Sequence, residues 1–341
     1  MIASNEITYS WHDQRNEALM ENRAVPNTEL SLSRVCLGTM TFGAQTDEAI
    51  AAAMLDCCLE RGVSFVDTAN VYNGGRAEEI VGRLLKGRRD KIVLASKVGI
   101  RTGLQADEEG LSRAAILNGI ENSLRRLGTD YLDIYYLHTP DYHTRLEESL
   151  ATMEDLVRQG KVRCLGASNY ASWQVCRMLW LAEQNGWQPV RIVKPMYNLL
   201  SRGIEQELLP MCKQFSLATA VYNPLAGGLL TGKHRIEATL PGTRFDGNEV
   251  YRNRYWHAAT FAAIGGLAAV ANEAGTSLVG LSLRWLLQQS PIDTVILGAS
   301  RLEQLEENLV AVERGSLPAE AIETCDRIWL QLRGASPQYN R

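Results

Sequence analysis

The sequence predicts an α/β protein built as one closed (β/α)8 barrel, also called a TIM barrel. Three observations support this prediction: eight short strand candidates alternate with helical segments, these strands are apolar at nearly every position, and no Pro- or Ser-rich linker divides the chain. Strands that are apolar on both faces are typical of a parallel sheet whose two faces are covered. Eight such units in a chain of 341 residues favour a barrel over smaller α/β folds.

The strand candidates are separated by segments with helical periodicity and by glycines at the positions where helices end. The strand candidates are residues 35–40, 64–68, 91–97, 131–138, 162–168, 190–195, 217–223 and 293–299. Helices are predicted over residues 47–62 and 147–160, and the expected C-terminal glycines are Gly62, Gly128, Gly160 and Gly186. A doubly wound open sheet is the alternative, but no Gly-x-Gly-x-x-Gly motif follows an early strand.

Three segments lie outside this repeat. Residues 1–21 are a polar N-terminal extension, so we predict a single barrel domain over residues 22–341. Residues 24–33 are expected to form a short hairpin before the first barrel strand. Residues 224–254 follow the seventh strand and carry turn residues without a regular period. Because a loop this long in a compact domain is usually functional or disordered, it is a candidate ligand-binding segment.

Composition excludes several classes of protein. The chain is 45% hydrophobic and 22% charged, with a net charge of −4, which is ordinary for a soluble globular protein. The acidic balance and the absence of Lys/Arg runs argue against a nucleic-acid partner. No apolar run predicts a membrane span, and the N-terminus does not resemble a signal peptide. Seven scattered cysteines without metal-ligand spacing predict reduced thiols, a cytoplasmic protein and no bound metal.

The stretch GGLLTGKH (227–234) has most of a phosphate-binding P-loop, in which a glycine-rich turn and a lysine hold the phosphates of ATP. The eighth position is His234, where such a loop needs a Ser or Thr to bind magnesium. Pro241, Gly242 and Gly247 follow soon after, where a helix should continue. These departures argue against a triphosphate site and leave another phosphate, or no ligand, as the alternatives.

Several strand candidates end in a titratable side chain. Asp67, Lys97 and His138 end the second, third and fourth strands, and Tyr72 lies five residues beyond Asp67. The carboxyl ends of barrel strands meet on one face, so we expect these four side chains to lie together. A nearby lysine would lower the tyrosine pKa, an aspartate would keep the lysine charged, and the histidine could orient a carbonyl. The set suits protonation of a carbonyl oxygen as hydride reaches the carbon, or the reverse.

The remaining histidines have no such companions. They are expected on the surface, and they are His12, His143, His234 and His257.

Six segments, in this order and spacing, resemble the aldo-keto reductases. They are FVDTANVYNGGRAEEIVGRLL, VLASKVG, LDIYYLHTPD, GKVRCLGASNY, VYNPLAGGLLTGKH and VILGASRLEQLEENL. The resemblance covers roughly residues 22–335. It is greatest to the aflatoxin-aldehyde and succinic-semialdehyde reductase branch, with features similar to the potassium-channel β-subunits.

The resemblance implies a barrel that binds NADPH, with NADH as an alternative, across its C-terminal face. It implies that Tyr72 is the general acid, that Lys97 lowers its pKa, that Asp67 pairs with the lysine and that His138 orients the carbonyl. It also implies a set of cofactor-binding residues in addition to Asp67. At the nicotinamide these are Gly38, Thr39, Met40, Ser168, Asn169 and Tyr222. Over the pyrophosphate they are Asn223, Leu225, Gly227, Lys233 and Arg244, and at the adenosine they are Gly298, Ser300, Gln304, Glu307 and Asn308.

This resemblance gives GGLLTGKH a function, since glycines would let backbone N–H groups approach a pyrophosphate while Lys233 supplies charge. Two positions depart from the family pattern. Lys194 stands where a Gln usually contacts the nicotinamide carboxamide, and a cation cannot accept that N–H. Either Lys194 points elsewhere or binding favours the reduced cofactor. Gln304 stands where many members carry Arg, and Arg301 is the candidate that would bind the 2′-phosphate.

The sequence therefore predicts an NADPH-dependent reductase of an aldehyde or ketone, with a small-molecule carbonyl compound as the substrate. A cofactor-sensing regulatory subunit and a sugar or alcohol dehydrogenase running toward oxidation are the alternatives. The sequence does not specify the substrate or the function of the N-terminal extension. It is compatible with a homo-oligomer but does not specify the oligomeric state.

Overall fold

The computed structural model describes residues 21–335, so residues 1–20 of the predicted extension, including His12, lie outside the described residues. Eight parallel strands close into a barrel in chain order, and the last strand pairs with the first. The predicted (β/α)8 barrel is confirmed. Its strands are β3 (Val35–Gly38), β4 (Phe65–Asp67), β5 (Val93–Val98), β6 (Leu132–Leu137), β7 (Val162–Ser168), β8 (Val190–Lys194), β9 (Ala218–Val221) and β10 (Thr294–Gly298). Every strand candidate corresponds to one of them.

Helices cover the outside of the barrel. They are α1 (Glu48–Glu60), α2 (Arg76–Leu84), α3 (Arg113–Leu127), α4 (Leu146–Arg158), α5 (Ser172–Asn185), α6 (Leu208–Gln214), α7 (Glu249–Tyr255), α8 (Ala258–Glu273), α9 (Leu278–Leu287), α10 (Leu302–Glu313) and α11 (Ala319–Arg333). Their ends follow local chemistry. Ser112 caps α3 by accepting the N–H of Ala115, and Gly128 ends it in the left-handed conformation. Gly186 ends α5 in the same way.

The predicted hairpin precedes the barrel and closes its N-terminal end. Its strands β1 (Arg23–Ala24) and β2 (Ser31–Leu32) pair antiparallel. Val25 and Leu32 are buried in the apolar cluster that fills the barrel interior. Ligand access is therefore left to the opposite end, where the strands terminate.

A two-residue period decides which strand residues face the interior. On β6, Ile134 and Tyr136 belong to the interior cluster, whereas Tyr135 and Leu137 pack against the surrounding helices. Gly166 on the next strand is required by this packing, because a Cβ there would lie 2.3 Å from the Tyr136 ring. The same alternation gives β4, β5 and β8 an inward-facing charged side chain at the carboxyl end, at Asp67, Lys97 and Lys194.

All seven cysteines lie in the described range and carry free thiols. Among the described helices, no single one is long and apolar enough to cross a membrane. Only α8 and α9 taken together pass a test of length and composition, and these two helices are bent by 86° at their junction.

Candidate active site

Three strand ends and the turn after β4 bring together four candidate catalytic residues, Asp67, Tyr72, Lys97 and His138, which we call the catalytic cluster. Lys97 Nζ lies 2.7 Å from Asp67 Oδ1 and 3.2 Å from the Tyr72 hydroxyl. Its remaining hydrogen bond is to the carbonyl of Thr68. The Tyr72 and His138 rings meet edge to face, with centroids 6.2 Å apart. The expectation that these four side chains lie together on one face agrees with this geometry.

Three of these positions, those of Asp67, Lys97 and His138, follow from the inward strand period. Phe65, Ala95 and Ile134 lie in the barrel interior. Counting on in steps of two residues reaches Asp67, Lys97 and, through Tyr136, His138.

The ion pair at the centre of the cluster is fully removed from solvent. Lys97 is 0% exposed and Asp67 is 1% exposed. Burial by itself raises the pKa of Asp67, but Lys194 and Lys97 outweigh it and hold that pKa below its usual value. Asp67 is therefore ionised at neutral pH, and its charge fixes the Lys97 amine beside the phenol.

Burial raises the pKa of Tyr72 to about 12. Lys194 and Arg244 lower it and Asp67 raises it, but these charges do not offset desolvation. The sequence-based expectation of a lowered tyrosine pKa is not met, because the cost of burying a phenolate exceeds the attraction of the nearby cations. Tyr72 is therefore protonated at neutral pH, which is the form that a general acid needs.

Burial and the nearby Lys97 and Lys194 lower the pKa of His138 to about 2, although Asp67 opposes the shift. The imidazole is consequently neutral. Its Nδ1 is buried and has no hydrogen-bond partner in the described part of the chain. A neutral ring carries one N–H donor and one acceptor, so it can contact a polar group in the mouth of the barrel.

Sequence reasoning missed the residues that hold the turn carrying Tyr72. Asn73 adopts a positive φ of 52° and donates to the carbonyls of Met40 and Phe42 at 2.9 and 2.7 Å. Gly75 lies against the Arg126 side chain, where a Cβ would come within 2.9 Å. Arg126 is itself fixed by the buried Glu78. The Asn-Gly-Gly sequence signals such a tight turn, but nothing local identifies Arg126.

The Lys194 amine points into the barrel toward Asp67. Its Nζ donates to both carboxylate oxygens of Asp67, at 2.5 and 2.7 Å, and the side chain is 4% exposed. Of the two outcomes expected for this residue, the amine points elsewhere. The inward period was the available signal, since Ile192 faces the interior two residues earlier.

Ser168, Asn169 and Tyr222 form one hydrogen-bonded group at the ends of β7 and β9. The Tyr222 hydroxyl donates to Asn169 Oδ1 at 2.6 Å, and the Asn169 amide donates to the His138 carbonyl at 2.9 Å and to Ser168 Oγ at 3.1 Å. Asn169 has a φ of 65°, which turns its side chain back across the strand end. These amide and hydroxyl groups suit a carboxamide ligand, whereas Lys194 contributes no third contact there.

The end of β3 lies next to the catalytic cluster. Thr39 is fully buried and donates from its N–H and its hydroxyl to the Asp67 carbonyl, at 3.0 and 3.1 Å. Gly38 leaves no room for a side chain, because a Cβ would lie 2.9 Å from Ile296. Met40 is 48% exposed at the rim. Thr39 thus supports the cluster, and Met40 is the member of this group open to a ligand.

Residues 224–254, the long loop, follow β9 and contain a 3₁₀ turn, Ala226–Thr231, and α7. Asn223 Oδ1 accepts the N–H of Gly227 at 2.6 Å, and the Gly228 N–H donates to the Leu225 carbonyl at 2.8 Å. Gly227 has a φ of 70°, and a Cβ there would lie 2.8 Å from the Tyr251 ring. The glycines therefore serve the turn, and the N–H groups of Gly227 and Gly228 are used within it rather than offered to an anion.

Cations of the long loop remain available instead. Lys233 is exposed and makes no ion pair with another described residue. Arg244 donates to the Tyr251 hydroxyl at 2.9 Å. Because the glycine N–H groups are used within the loop, these two side chains would attract a phosphate-bearing ligand mainly through their positive charge.

The expectation of a surface position was wrong for His234. It is 4% exposed and lies between Phe245 and Trp256, with ring centroids at 5.2 and 5.7 Å. Burial, followed by the nearby charge of Lys233, lowers its pKa. The ring is a packing element of the long loop. His143 and His257 are exposed, as expected.

The predicted adenosine residues meet at the start of α10. Gln304 Oε1 accepts from both the N–H and the hydroxyl of Ser300 at 3.2 Å, so it fixes the turn that precedes α10. Arg301 and Glu307 are exposed, and Asn308 is buried. Gly298 has open space around its Cα. Because Gln304 is engaged with Ser300, Arg301 is the side chain that this segment offers to a phosphate.

Comparison with known proteins identifies one family and several relatives. The model of the "Aldo/keto reductase family" matches residues 34–330. Aflatoxin B1 aldehyde reductase member 2 of Rattus norvegicus is 38% identical over 337 residues, which covers 94% of this chain and 90% of the rat protein. Aldo-keto reductase family 7 member A3 of Homo sapiens is 37% identical, covering 89% of this chain and 96% of the human protein. A probable voltage-gated potassium channel subunit β of Arabidopsis thaliana is 33% identical, covering 86% and 92% of the two chains.

Proposed function

The chain belongs to the aldo/keto reductase family and is an oxidoreductase that acts on carbonyl groups. On that premise we propose that it reduces an aldehyde or ketone to an alcohol with NADPH, and that Tyr72 is the general acid. The observation that carries this proposal is the Lys97 amine, which bridges the Asp67 carboxylate at 2.7 Å and the Tyr72 hydroxyl at 3.2 Å. An aldehyde is the favoured substrate because the rat relative is named for an aldehyde.

Tyr72 donates its proton to the carbonyl oxygen. The O–H bond of the phenol breaks, the O–H bond of the alcohol forms, and the phenolate that remains lies beside the Lys97 ammonium. A reduced nicotinamide, when bound, would supply the hydride to the carbonyl carbon. The neutral His138 is placed to donate a hydrogen bond to the same oxygen as negative charge develops on it.

The ionisation states of the cluster suit this direction of proton transfer. With a pKa of about 12, Tyr72 holds its proton at neutral pH until an oxygen of greater basicity develops beside it. Lys97 contributes most after transfer, because an ammonium stabilises the phenolate more than the phenol. Asp67 acts through Lys97 by holding the amine in place, and Thr39 in turn binds the Asp67 backbone.

The dinucleotide would lie across the carboxyl ends of the strands, and the groups present there suit its parts. Amide and hydroxyl groups suit the nicotinamide end, exposed cations suit the phosphates, and Arg301 favours NADPH over NADH. The residues that would contact it are Met40, Ser168, Asn169, Tyr222, Lys233, Arg244 and Arg301. The other residues expected at this site would shape its surroundings, and they are Gly38, Thr39, Asn223, Leu225, Gly227, Gly298, Ser300, Gln304, Glu307 and Asn308.

Substituting Tyr72→Phe tests the proposal. The variant keeps the ring but has no proton to donate, so kcat for NADPH oxidation with 4-nitrobenzaldehyde should fall by roughly 10²–10⁴-fold. NADPH affinity, measured by quenching of tryptophan fluorescence, should stay within about twofold of wild type. That limit corresponds to a change in binding free energy of under about 0.4 kcal/mol.

Tyr131→Phe is the matched control, because Tyr131 precedes β6 at the closed end of the barrel and should keep full activity. Turnover by Tyr72→Phe at the wild-type rate would refute the role of Tyr72.

The likeness to a potassium channel β-subunit supports a second candidate, a cofactor-sensing subunit with slow turnover. The same experiment separates the two. Tight NADPH binding without measurable turnover across a panel of aldehydes and ketones would favour the sensor, whereas turnover that depends on Tyr72 favours the reductase.

A further inference from the structure

Asp67 has two lysine partners, Lys97 and Lys194. Lys194 Nζ contacts both carboxylate oxygens, at 2.5 and 2.7 Å, whereas Lys97 Nζ contacts Oδ1 alone at 2.7 Å. Lys97 also donates to the Thr68 carbonyl and to the Tyr72 hydroxyl. Lys194 is therefore the main counter-ion of the carboxylate, and Lys97 is left free to face the phenol.

The three charges are buried together, with exposures of 0% for Lys97, 1% for Asp67 and 4% for Lys194. Solvent ions cannot balance them. The ionisable groups that face them from neighbouring elements are Cys36, Tyr72, Tyr136, His138 and, farther out on the long loop, Arg244.

None of the groups beside the carboxylate supplies a second negative charge. Burial raises the pKa of Cys36, Tyr72 and Tyr136, so all three are protonated, and His138 is neutral because its pKa is lowered. Burial and Lys97 lower the pKa of Lys194, and contact with both oxygens of Asp67 acts in the opposite direction. With the Lys194 amine protonated in its contact with Asp67, two ammonium groups and one carboxylate carry a net charge of +1.

The backbone of Lys194 also contacts Ser168 and Asn169, which belong to the group that suits a carboxamide. Ser168 Oγ donates to the Lys194 carbonyl at 3.1 Å, and the Asn169 N–H donates to it at 3.4 Å. The backbone of residue 194 thus fixes Ser168 and Asn169 while its side chain turns inward. A glutamine here would instead leave Asp67 paired with Lys97 alone, at net charge zero.

We propose that Lys194 is a positioning residue that anchors Asp67 and places one excess positive charge beside Tyr72. This rests on the proposed function. The charge favours the phenolate that forms when Tyr72 gives up its proton. It also disfavours the oxidised nicotinamide, which is cationic, relative to the reduced form.

Cofactor binding tests the charge directly. Dissociation constants for NADPH and NADP⁺ are measured by tryptophan fluorescence for wild type, Lys194→Gln, Lys194→Met and Lys194→Arg, with Lys91→Gln as an exposed control at the other end of the barrel. Loss of a unit charge at about 10 Å in a medium of effective dielectric ~20 should lower the Kd ratio of NADP⁺ to NADPH about tenfold in both neutral variants. The ratio should stay near wild type in Lys194→Arg and Lys91→Gln. An unchanged ratio in both neutral variants overturns the proposal.

Thermal melting without cofactor tests the pairing. Asp67→Asn leaves two buried ammonium groups without a counter-ion, so its melting temperature should fall. Adding Lys194→Gln removes one of them, so the double variant should melt at a higher temperature than Asp67→Asn alone. A double variant that melts no higher shows that Lys194 is not held by Asp67 and overturns the proposal. If wild type binds neither cofactor form, the proposed function fails while this experiment still decides the pairing.

Discussion

The catalytic cluster and the long loop lie at the same end of the barrel but are organised in opposite ways. In the cluster, Asp67 and Lys97 are at most 1% exposed and are held by hydrogen bonds. In the long loop, Lys233 is exposed and unpaired among the described residues, and the loop's backbone is fixed by its own turns.

The difference shows what each region needs. A proton donor works only in a fixed geometry, so its surroundings are built in advance by strand ends that cannot move independently. A phosphate contact needs charge at the rim, where a solvated lysine can reach the ligand.

Apart from Tyr72→Phe, Lys97→Met should disrupt the catalytic cluster most and have the largest effect on kcat. It removes the ammonium that stabilises the phenolate, so kcat should fall by about 10²–10³-fold. The fold should survive because Lys194 still pairs with Asp67. Steady-state kinetics and a thermal melt measure the two effects separately, with Lys86→Met as a control at an exposed site. A variant that keeps more than about a tenth of wild-type kcat would contradict the role of Lys97, since that loss is only about 1.4 kcal/mol.

His138 should make the buried region sensitive to acid. Its folded pKa of about 2 lies below the value in an unfolded chain, so the unfolded state binds more protons between those two values. The contribution of the neutral His138 to the free energy of unfolding is complete above about pH 6.5. It is lost as the pH falls below that value, by about 1.4 kcal/mol per pH unit.

Urea unfolding at several pH values from about 6.5 to about 4.5, above the range of ordinary carboxylates, measures this loss. Wild type should lose stability more steeply than His138→Gln, and His143→Gln, at an exposed position, should follow wild type. Parallel curves for wild type and His138→Gln would show that the imidazole is protonated in the folded protein.

Lys233→Ala should have the smallest effect, and it tests the difference between the long loop and the catalytic cluster. Loss of one charge-assisted contact should raise Kd for NADPH about tenfold, or about 1.4 kcal/mol, with kcat and melting temperature nearly unchanged. The fluorescence titration is repeated at two salt concentrations, because an exposed charge is screened. Equal NADPH affinity in the variant and wild type would place the phosphates away from Lys233.

The sequence by itself determined the barrel, its eight strands, the hairpin and the residues of the catalytic cluster. These are local or periodic properties: apolar strands, glycines after helices, and titratable side chains where strands end. The two-residue period even points Lys194 inward, although it does not say which residue the amine meets.

Only the tertiary structure decided the interactions between distant segments. The contact of Lys194 with Asp67 joins residues 127 positions apart, and Arg126 reaches Gly75 from another helix. The raised pKa of Tyr72, the buried ring of His234 and the internal use of the glycine N–H groups depend on desolvation and on neighbours brought close by folding. Sequence periodicity specifies which face a side chain occupies, whereas burial and pairing energies depend on the complete three-dimensional environment.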